Sequence, residues 1–293
     1  MIIGDNKLAV INNIKEAVEQ NEFNKKVEID DPNLTQEQKA QIIEKYLKTR
    51  NSTTYKINNK IARIIIDFVS ISQNKDTKIV GLENIKDIKT GAIITSNHFN
   101  PLDNLVVRKF VKEAHKKRLY IVGQDTNLAM DGLVGFMMNY ADIIPISNQI
   151  SYMKKDFQEI IKNILDENNF ILIYPEQEMW FNYRKPRPPK PGAYYYASKN
   201  NVPIISCFVE IIDKKEHENE EFNKVKYVIH ILKPIYPNSK LTPKENSKIM
   251  MEQDYKQKKQ AYEIAYKEKL NYQFTSKDIA RSQGKWTHEL GSI

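Results

Sequence analysis

The spacing of apolar and polar positions divides the chain into three textures. Residues 1–50 are polar, with apolar side chains recurring at Ile11, Ile14 and Val18 and again at Ile42, Ile43, Tyr46 and Leu47, which predicts two amphipathic helices. Thr35 and Gln38 supply a capping box for the second. A third helix follows, in which Ile57, Ile61, Ile64, Ile65, Phe68 and Ile71 make a broad apolar stripe at 3.6-residue spacing. The first expectation for such a stripe is that it packs on the core; the alternative is a helix lying on a membrane.

After Lys78 the pattern changes to short apolar runs separated by helical spacings. Strands are expected at Ile79–Gly81, Ala92–Thr95, Leu119–Val122, Ile143–Ile146, Phe170–Ile173, Ile204–Val209 and Tyr227–Leu232, with helices over 101–115, 132–140, 150–168 and 192–199. This alternation predicts an α/β fold with a central mixed, mostly parallel sheet flanked by helices and an N-terminal helical extension. Residues 244–270 are charged and carry few breakers, so they read as a surface or docking helix. The expected organisation is a helical N-terminal extension over 1–77, an α/β core over 78–235, and a C-terminal helical segment and tail over 236–293.

A formal charge of +8 favours anionic partners without choosing among them. Its placement says more. Arg108, Lys109, Lys112, Lys116, Lys117 and Arg118 face only Glu113, and Arg184, Lys185, Arg187 and Lys190 have no acidic neighbour between them. Cys207 is the only cysteine, so no intrachain disulfide forms, and its apolar surroundings mark it as a buried structural thiol. No run of about 18 uncharged apolar residues exists, and the start lacks the order of a signal peptide, so the expectation is a cytoplasmic protein with peripheral membrane contact.

Two segments carry candidate chemistry. Gly91 to Asp103 runs from an apolar strand through a turn into a helix, with Asn100 expected as N-cap, Pro101 as the first helical residue and Asp103 two residues on. His98 then sits at a strand-to-helix loop, where ligands bind in open α/β sheets. Asp103, five residues on, can fold back to fix the imidazole tautomer, making the pair a candidate general base toward a hydroxyl. In the second segment the strand Ile171–Tyr174 stops at Pro175 and delivers Glu176, a candidate for binding an acceptor hydroxyl. Arg184, Lys185 and Arg187 follow in a proline-stiffened stretch and could hold a phosphate.

Together the two segments resemble the glycerolipid acyltransferases, the family that includes 1-acylglycerol-3-phosphate acyltransferases. Its Asn-His-x4-Asp block is matched by Asn97, His98 and Asp103, and its Phe-Pro-Glu-Gly-Thr-Arg block in part by Tyr174, Pro175 and Glu176. Further echoes keep the same order: Val80 to Ile85, Ile144-Pro145, Lys190 to Ala193, Val202-Pro203-Ile204 and Lys233-Pro234. The chain departs from the pattern where the glycine and arginine after Pro-Glu are Gln177 and Met179, and where Ser147 and Asn148 replace an arginine after the Ile-Pro strand. Both arginines are associated in the family with acceptor phosphate, so either Arg184 or Arg187 substitutes or the acceptor lacks that phosphate.

The resemblance implies direct acyl transfer from acyl-CoA or acyl carrier protein, a thioester co-substrate with no cofactor and no metal, onto a hydroxyl of a lysophospholipid or related lipid. His98 would take the hydroxyl proton, Asp103 would orient His98, and amides near the start of the following helix would stabilise the oxyanion. Asn97, Glu176, Arg184, Arg187 and Lys190 would bind substrate. The expected partners are the acyl donor, the lipid acceptor and an anionic membrane surface, with the protein peripheral on the cytoplasmic face. A non-catalytic lipid- or membrane-binding protein on the same fold is the alternative, and a nucleic-acid role has no motif to support it.

Overall fold

The computed structural model describes residues 7–29, 32–114, 118–219 and 222–280. In chain order its elements are α1 (Lys7–Glu19), α2 (Gln36–Thr49), α3 (Thr53–Gln73), β1 (Lys78–Val80), β2 (Ala92–Thr95), α4 (Asn104–Ala114), β3 (Leu119–Gln124), α5 (Gly132–Tyr140), β4 (Ile143–Ile146), α6 (Ile150–Lys154), α7 (Asp156–Asp166), β5 (Phe170–Ile173), α8 (Gly192–Lys199), β6 (Ile204–His217), β7 (Asn223–Ile231) and α9 (Pro243–Tyr266). The strands form one sheet in the order β1-β7-β6-β2-β5-β3-β4. β6, β2, β5, β3 and β4 run parallel; β7 is antiparallel to β6, and β1 follows β7. The sheet is therefore mixed and mostly parallel, as the alternation of elements predicts.

Successive strand residues point to opposite faces, and the short apolar runs are buried on both. Ala92 and Ile94 of β2 pack with Val106, Val107 and Phe110 of α4 on one side. Ile93 between them packs on the other side with Ile160 and Ile164 of α7 and Ala193 and Tyr194 of α8. The outer segments join these cores. Ile43 and Tyr46 of α2 and Met250 of α9 belong to the second, and the N-terminal helix α1 covers Trp180, Phe181 and Tyr183. Buried Asp254 of α9 accepts hydrogen bonds from Thr95 Oγ1 (3.0 Å), Lys258 Nζ (2.9 Å) and the Tyr194 hydroxyl, tying the C-terminal helix to the end of β2.

Boundaries differ from expectation where side chains compete with the backbone. The capping box of Thr35 and Gln38 forms, but α4 begins at Asn104 rather than at Pro101. Asn100 Oδ1 accepts Leu102 N (3.0 Å) and Asp103 accepts the amides of Phe99 and Asn100, which makes residues 100–103 a turn. The expected end of this helix at residue 115, and Lys116 and Lys117 of the basic cluster, lie outside the described residues. The helix expected over 150–168 is two, α6 and α7, broken at Lys155, whose φ of −118° leaves the helical range.

The larger correction concerns α3. Its apolar stripe does not pack on the core: Ile57, Ile61, Ile64, Phe68 and Ile71 are 45% to 71% exposed. The inward face is instead Asn59, Ala62 and Ser70. Asn59 donates 2.7 Å hydrogen bonds to Asp142 Oδ1 and to the Tyr140 carbonyl, and Ser70 Oγ donates to the Leu105 carbonyl (3.2 Å). These directional bonds to a buried carboxylate, which also binds Arg118, and to two carbonyls keep the inward Asn59 and Ser70 paired and fit this rotation of the helix.

Replacing Ile61 or Ile64 with Gln should therefore change folding stability by no more than about 0.5 kcal/mol. Ala62→Leu, at a position with 0% exposure, should cost about 1–3 kcal/mol by overpacking. Urea denaturation of the three variants measures the contrast, and equal losses would contradict this orientation.

Candidate active site

Parallel pairing of β2 and β5 sets Thr95 opposite Ile173, so the loops that leave these strands emerge side by side at their C-terminal ends. The loop after β2 carries His98 and the loop after β5 carries Tyr174, Pro175 and Glu176. Each is pinned to neighbouring backbone. Asn97, 2% exposed, donates Nδ2 to the Val209 carbonyl (3.0 Å) and accepts the Val209 amide on Oδ1 (2.8 Å), fastening the His98 loop to β6. Its amide is wholly engaged there, so it is a bracket between strands rather than the substrate contact expected from sequence.

His98 Nδ1 lies 2.8 Å from Asp103 Oδ2. The same oxygen accepts Phe99 N (2.9 Å) and Asn100 N (3.3 Å), and Oδ1 accepts the Tyr174 hydroxyl. Every partner is a donor, so the histidine proton sits on Nδ1 and the Nε2 lone pair is free for substrate. The Tyr174 ring stacks on the imidazole at 3.9 Å between centroids and 12° between planes. Burial, and then the adjoining Asp103 carboxylate, push the Tyr174 phenol well above its ordinary range, which keeps it a donor. His98 is thereby held by a hydrogen bond at one edge and a ring on one face, with its side chain 21% exposed.

Glu176 lies beneath this pair. Its Oε2 accepts His98 N (3.2 Å) and Arg187 Nε (3.1 Å), and Oε1 accepts Arg187 N (2.9 Å). Arg187 is 2% exposed; it also donates to the carbonyls of Phe23 (2.9 Å), His98 (3.4 Å) and Glu178, and its guanidinium stacks 4.4 Å over the Trp180 ring. Glu176 and Arg187 thus brace the site from inside, where neither an acceptor hydroxyl nor a phosphate reaches them. Arg184 is committed elsewhere, to Asp213 and to the Lys277 carbonyl (3.0 Å). Lys185 is buried on Asp278 (2.7 Å). Of the four basic residues in this stretch, only Lys190 reaches the cavity, from an exposed position.

The other basic cluster is similarly tied. Arg108 donates to the Ala141 carbonyl (2.9 Å), Lys109 to the Asn74 carbonyl (2.9 Å), and Arg118 binds Asp142. The expected oxyanion donors are also occupied: the amides of His98, Phe99, Asn100, Leu102 and Asp103 all bond within the loop or to Glu176. Cys207 is fully buried and burial pushes its thiol up, in keeping with a structural role.

His98 opens onto a cavity of about 640 Å³. Its lining includes apolar side chains, among them Val122, Met130, Met138, Met153 and Ile173, and the polar or charged Glu28, Gln124, Asp125 and Lys190. Glu28 and Asp125 were not foreseeable as site residues, since the first lies far from either motif and the second opens a short helix after β3. The stacking and hydroxyl of Tyr174 had a trace in the sequence, a tyrosine where the family pattern has phenylalanine. Among the described residues, no group of three or more His, Cys, Asp or Glu could hold a metal ion.

Because Glu176 would become an unpaired buried charge, Arg187→Ala should destabilise the fold by about 3–5 kcal/mol. Denaturant melts test this; a loss under about 1 kcal/mol would show that the pair does not brace the site.

Residues 76–210 match the family model described as Acyltransferase, a span that contains both loops of the site. Among solved structures, the 1-acyl-sn-glycerophosphate acyltransferase PlsC from Thermotoga maritima aligns over 79% of this chain and 90% of its own at 14% identity, with a TM-score of 0.48. No curated protein matches the sequence. Over residues 76–210, less than half of the chain, the sequence is similar to the acyltransferase family.

Proposed function

We infer that the protein transfers a fatty acyl group from acyl-CoA or acyl carrier protein to a hydroxyl of a lysophospholipid or related lipid acceptor, at His98. The observation that carries this reading is the His98–Asp103 contact of 2.8 Å on a ring whose other nitrogen is free toward a partly apolar cavity. Nε2 takes the hydroxyl proton as the oxygen attacks the thioester carbonyl carbon. The tetrahedral intermediate collapses, the C–S bond breaks, and the thiolate leaves with the proton that Nε2 returns. Ester and free thiol are the products. General-base assistance of this kind contributes about 10²–10⁴-fold. Asp103 adds by stabilising the imidazolium, and Tyr174 by holding both partners in one geometry.

His98→Ala should leave the fold intact and reduce thiol release and acyl transfer at least about 10²-fold. Asp103→Asn should lower kcat severely by allowing the wrong tautomer. Tyr174→Phe, which removes only the hydroxyl that Asp103 accepts, should lower kcat with little change in KM. Turnover by His98→Ala above a tenth of wild type would remove His98 from the role.

The protein also works at a membrane surface in this reading, held peripherally by the outward face of α3. Five large apolar side chains are exposed there, with Lys56, Lys60 and Arg63 beside them. α5 packs on α3, exposes Leu133 and Val134, and carries Met138 into the cavity wall, so the apolar surface leads toward the site. No described helix is long and apolar enough to cross a membrane. Inserting about 200 Å² of apolar surface at ~25 cal/mol per Å² supplies about 5 kcal/mol, to which anionic lipid adds. Co-sedimentation with vesicles containing anionic lipid should weaken with salt and fall at least tenfold in an Ile61→Gln, Ile64→Gln, Phe68→Gln triple variant. Undiminished binding by that variant would place the membrane contact elsewhere.

A further inference from the structure

We propose that the acceptor presents its reacting hydroxyl on an uncharged polyol or sugar, gripped by the carboxylates of Asp125 and Glu28, rather than on a glycerol bearing a phosphomonoester. This deepens the acyl-transfer reading above and rests on it.

Asp125 begins the 3₁₀ turn Asp125–Ala129 directly after β3 and lines the same cavity as His98. It is 5% exposed, and its Oδ2 is buried with no hydrogen-bond partner. Glu28 reaches the cavity from the N-terminal segment. Its Oε2 is held by Lys7 Nζ at 2.8 Å, while Oε1 is buried with no partner. Two carboxylate oxygens in one cavity are thus desolvated without a donor, an arrangement that costs free energy until something donates to them. Hydroxyl groups do so. A phosphomonoester at neutral pH offers acceptor oxygens and negative charge, and carboxylates repel it.

The arginines that would outweigh that repulsion are absent from the wall. Arg187 is enclosed by Glu176, Trp180 and backbone carbonyls, and Arg184 is paired with Asp213. Met179, Ser147 and Asn148, all uncharged, line the cavity as well. The lining holds two lysines, Lys39 and Lys190, against three carboxylates, Glu28, Asp125 and Glu178. Such a wall suits a neutral head with several hydroxyl donors, and apolar lining residues such as Val122, Met138 and Met153 can contact the acyl chains.

The test uses the full chain with acyl-CoA and, separately, acyl carrier protein thioester, following thiol release and product mass. Three acceptors are compared in mixed micelles: a monoglucosyl diacylglycerol, 1-monoacylglycerol and lysophosphatidate. The neutral acceptors should show kcat/KM at least tenfold above lysophosphatidate. Asp125→Asn should shrink that ratio at least tenfold, mainly by raising KM for the neutral acceptors. A preference of the wild-type protein for lysophosphatidate overturns the proposal while leaving acyl transfer standing, and so does an Asp125→Asn variant whose ratio is unchanged. Failure to acylate any of the three with either donor sinks the acyl-transfer reading itself, and this inference with it. The wild-type ratio decides the matter even if the variant does not fold.

Discussion

The buried ion pair between Glu176 and Arg187 is the constraint on which the arrangement of the site depends. Removing two charges from water is costly, and the cost is offset only when almost every donor and acceptor finds a partner. Here the guanidinium reaches Glu176, three backbone carbonyls and the Trp180 ring, and the carboxylate takes the amides of His98 and Arg187. Those contacts come from the loop after β2, the loop after β5, the proline-rich stretch and the N-terminal segment at Phe23. The same requirement for full satisfaction that makes the pair tolerable therefore joins four separate parts of the chain at one point under His98.

Above that brace the polar chemistry divides into two kinds of carboxylate. Asp103 accepts three backbone or ring N–H groups and a phenol, leaving it fixed and its histidine oriented before any substrate arrives. Asp125 and Glu28 each keep a buried oxygen without a partner. A saturated carboxylate positions; an unsaturated one in a cavity is available to a ligand. The distinction separates residues that hold the site together from residues that face its contents, and it moves Asn97, Glu176 and Arg187 into the first group.

The rotation of α3 shows hydrogen bonding overriding apolar burial. Turning its isoleucines inward would bury more apolar surface, at about 25 cal/mol per Å², yet would break the buried bonds that Asn59 and Ser70 make to Asp142 and to two carbonyls. The exposed stripe that results has a use only if something apolar covers it, which is why a bilayer surface enters the functional reading.

How much was legible in the sequence follows from how local each signal is. Period-two and 3.6-residue patterns, strand-ending prolines and the capping box at Thr35 are set by neighbours a few residues apart, so the seven strands, most helices and the mixed α/β class could be read directly. The His98–Asp103 pair, five residues apart across one turn, was legible for the same reason. Periodicity marks an apolar stripe but not the side of the helix that meets the core, so the facing of α3 needed Asp142, some eighty residues away. A basic residue in a loop gives no sign of whether it points to solvent or inward, so the sequence pattern of Arg187 fits a phosphate ligand, whereas Glu176 and the Phe23 carbonyl enclose it. By itself the sequence determined which segments become strands and helices and which histidine and aspartate meet. Only the tertiary structure decided which charges are saturated inside and which open on the cavity, because burial is a property of residues brought together from distant parts of the chain.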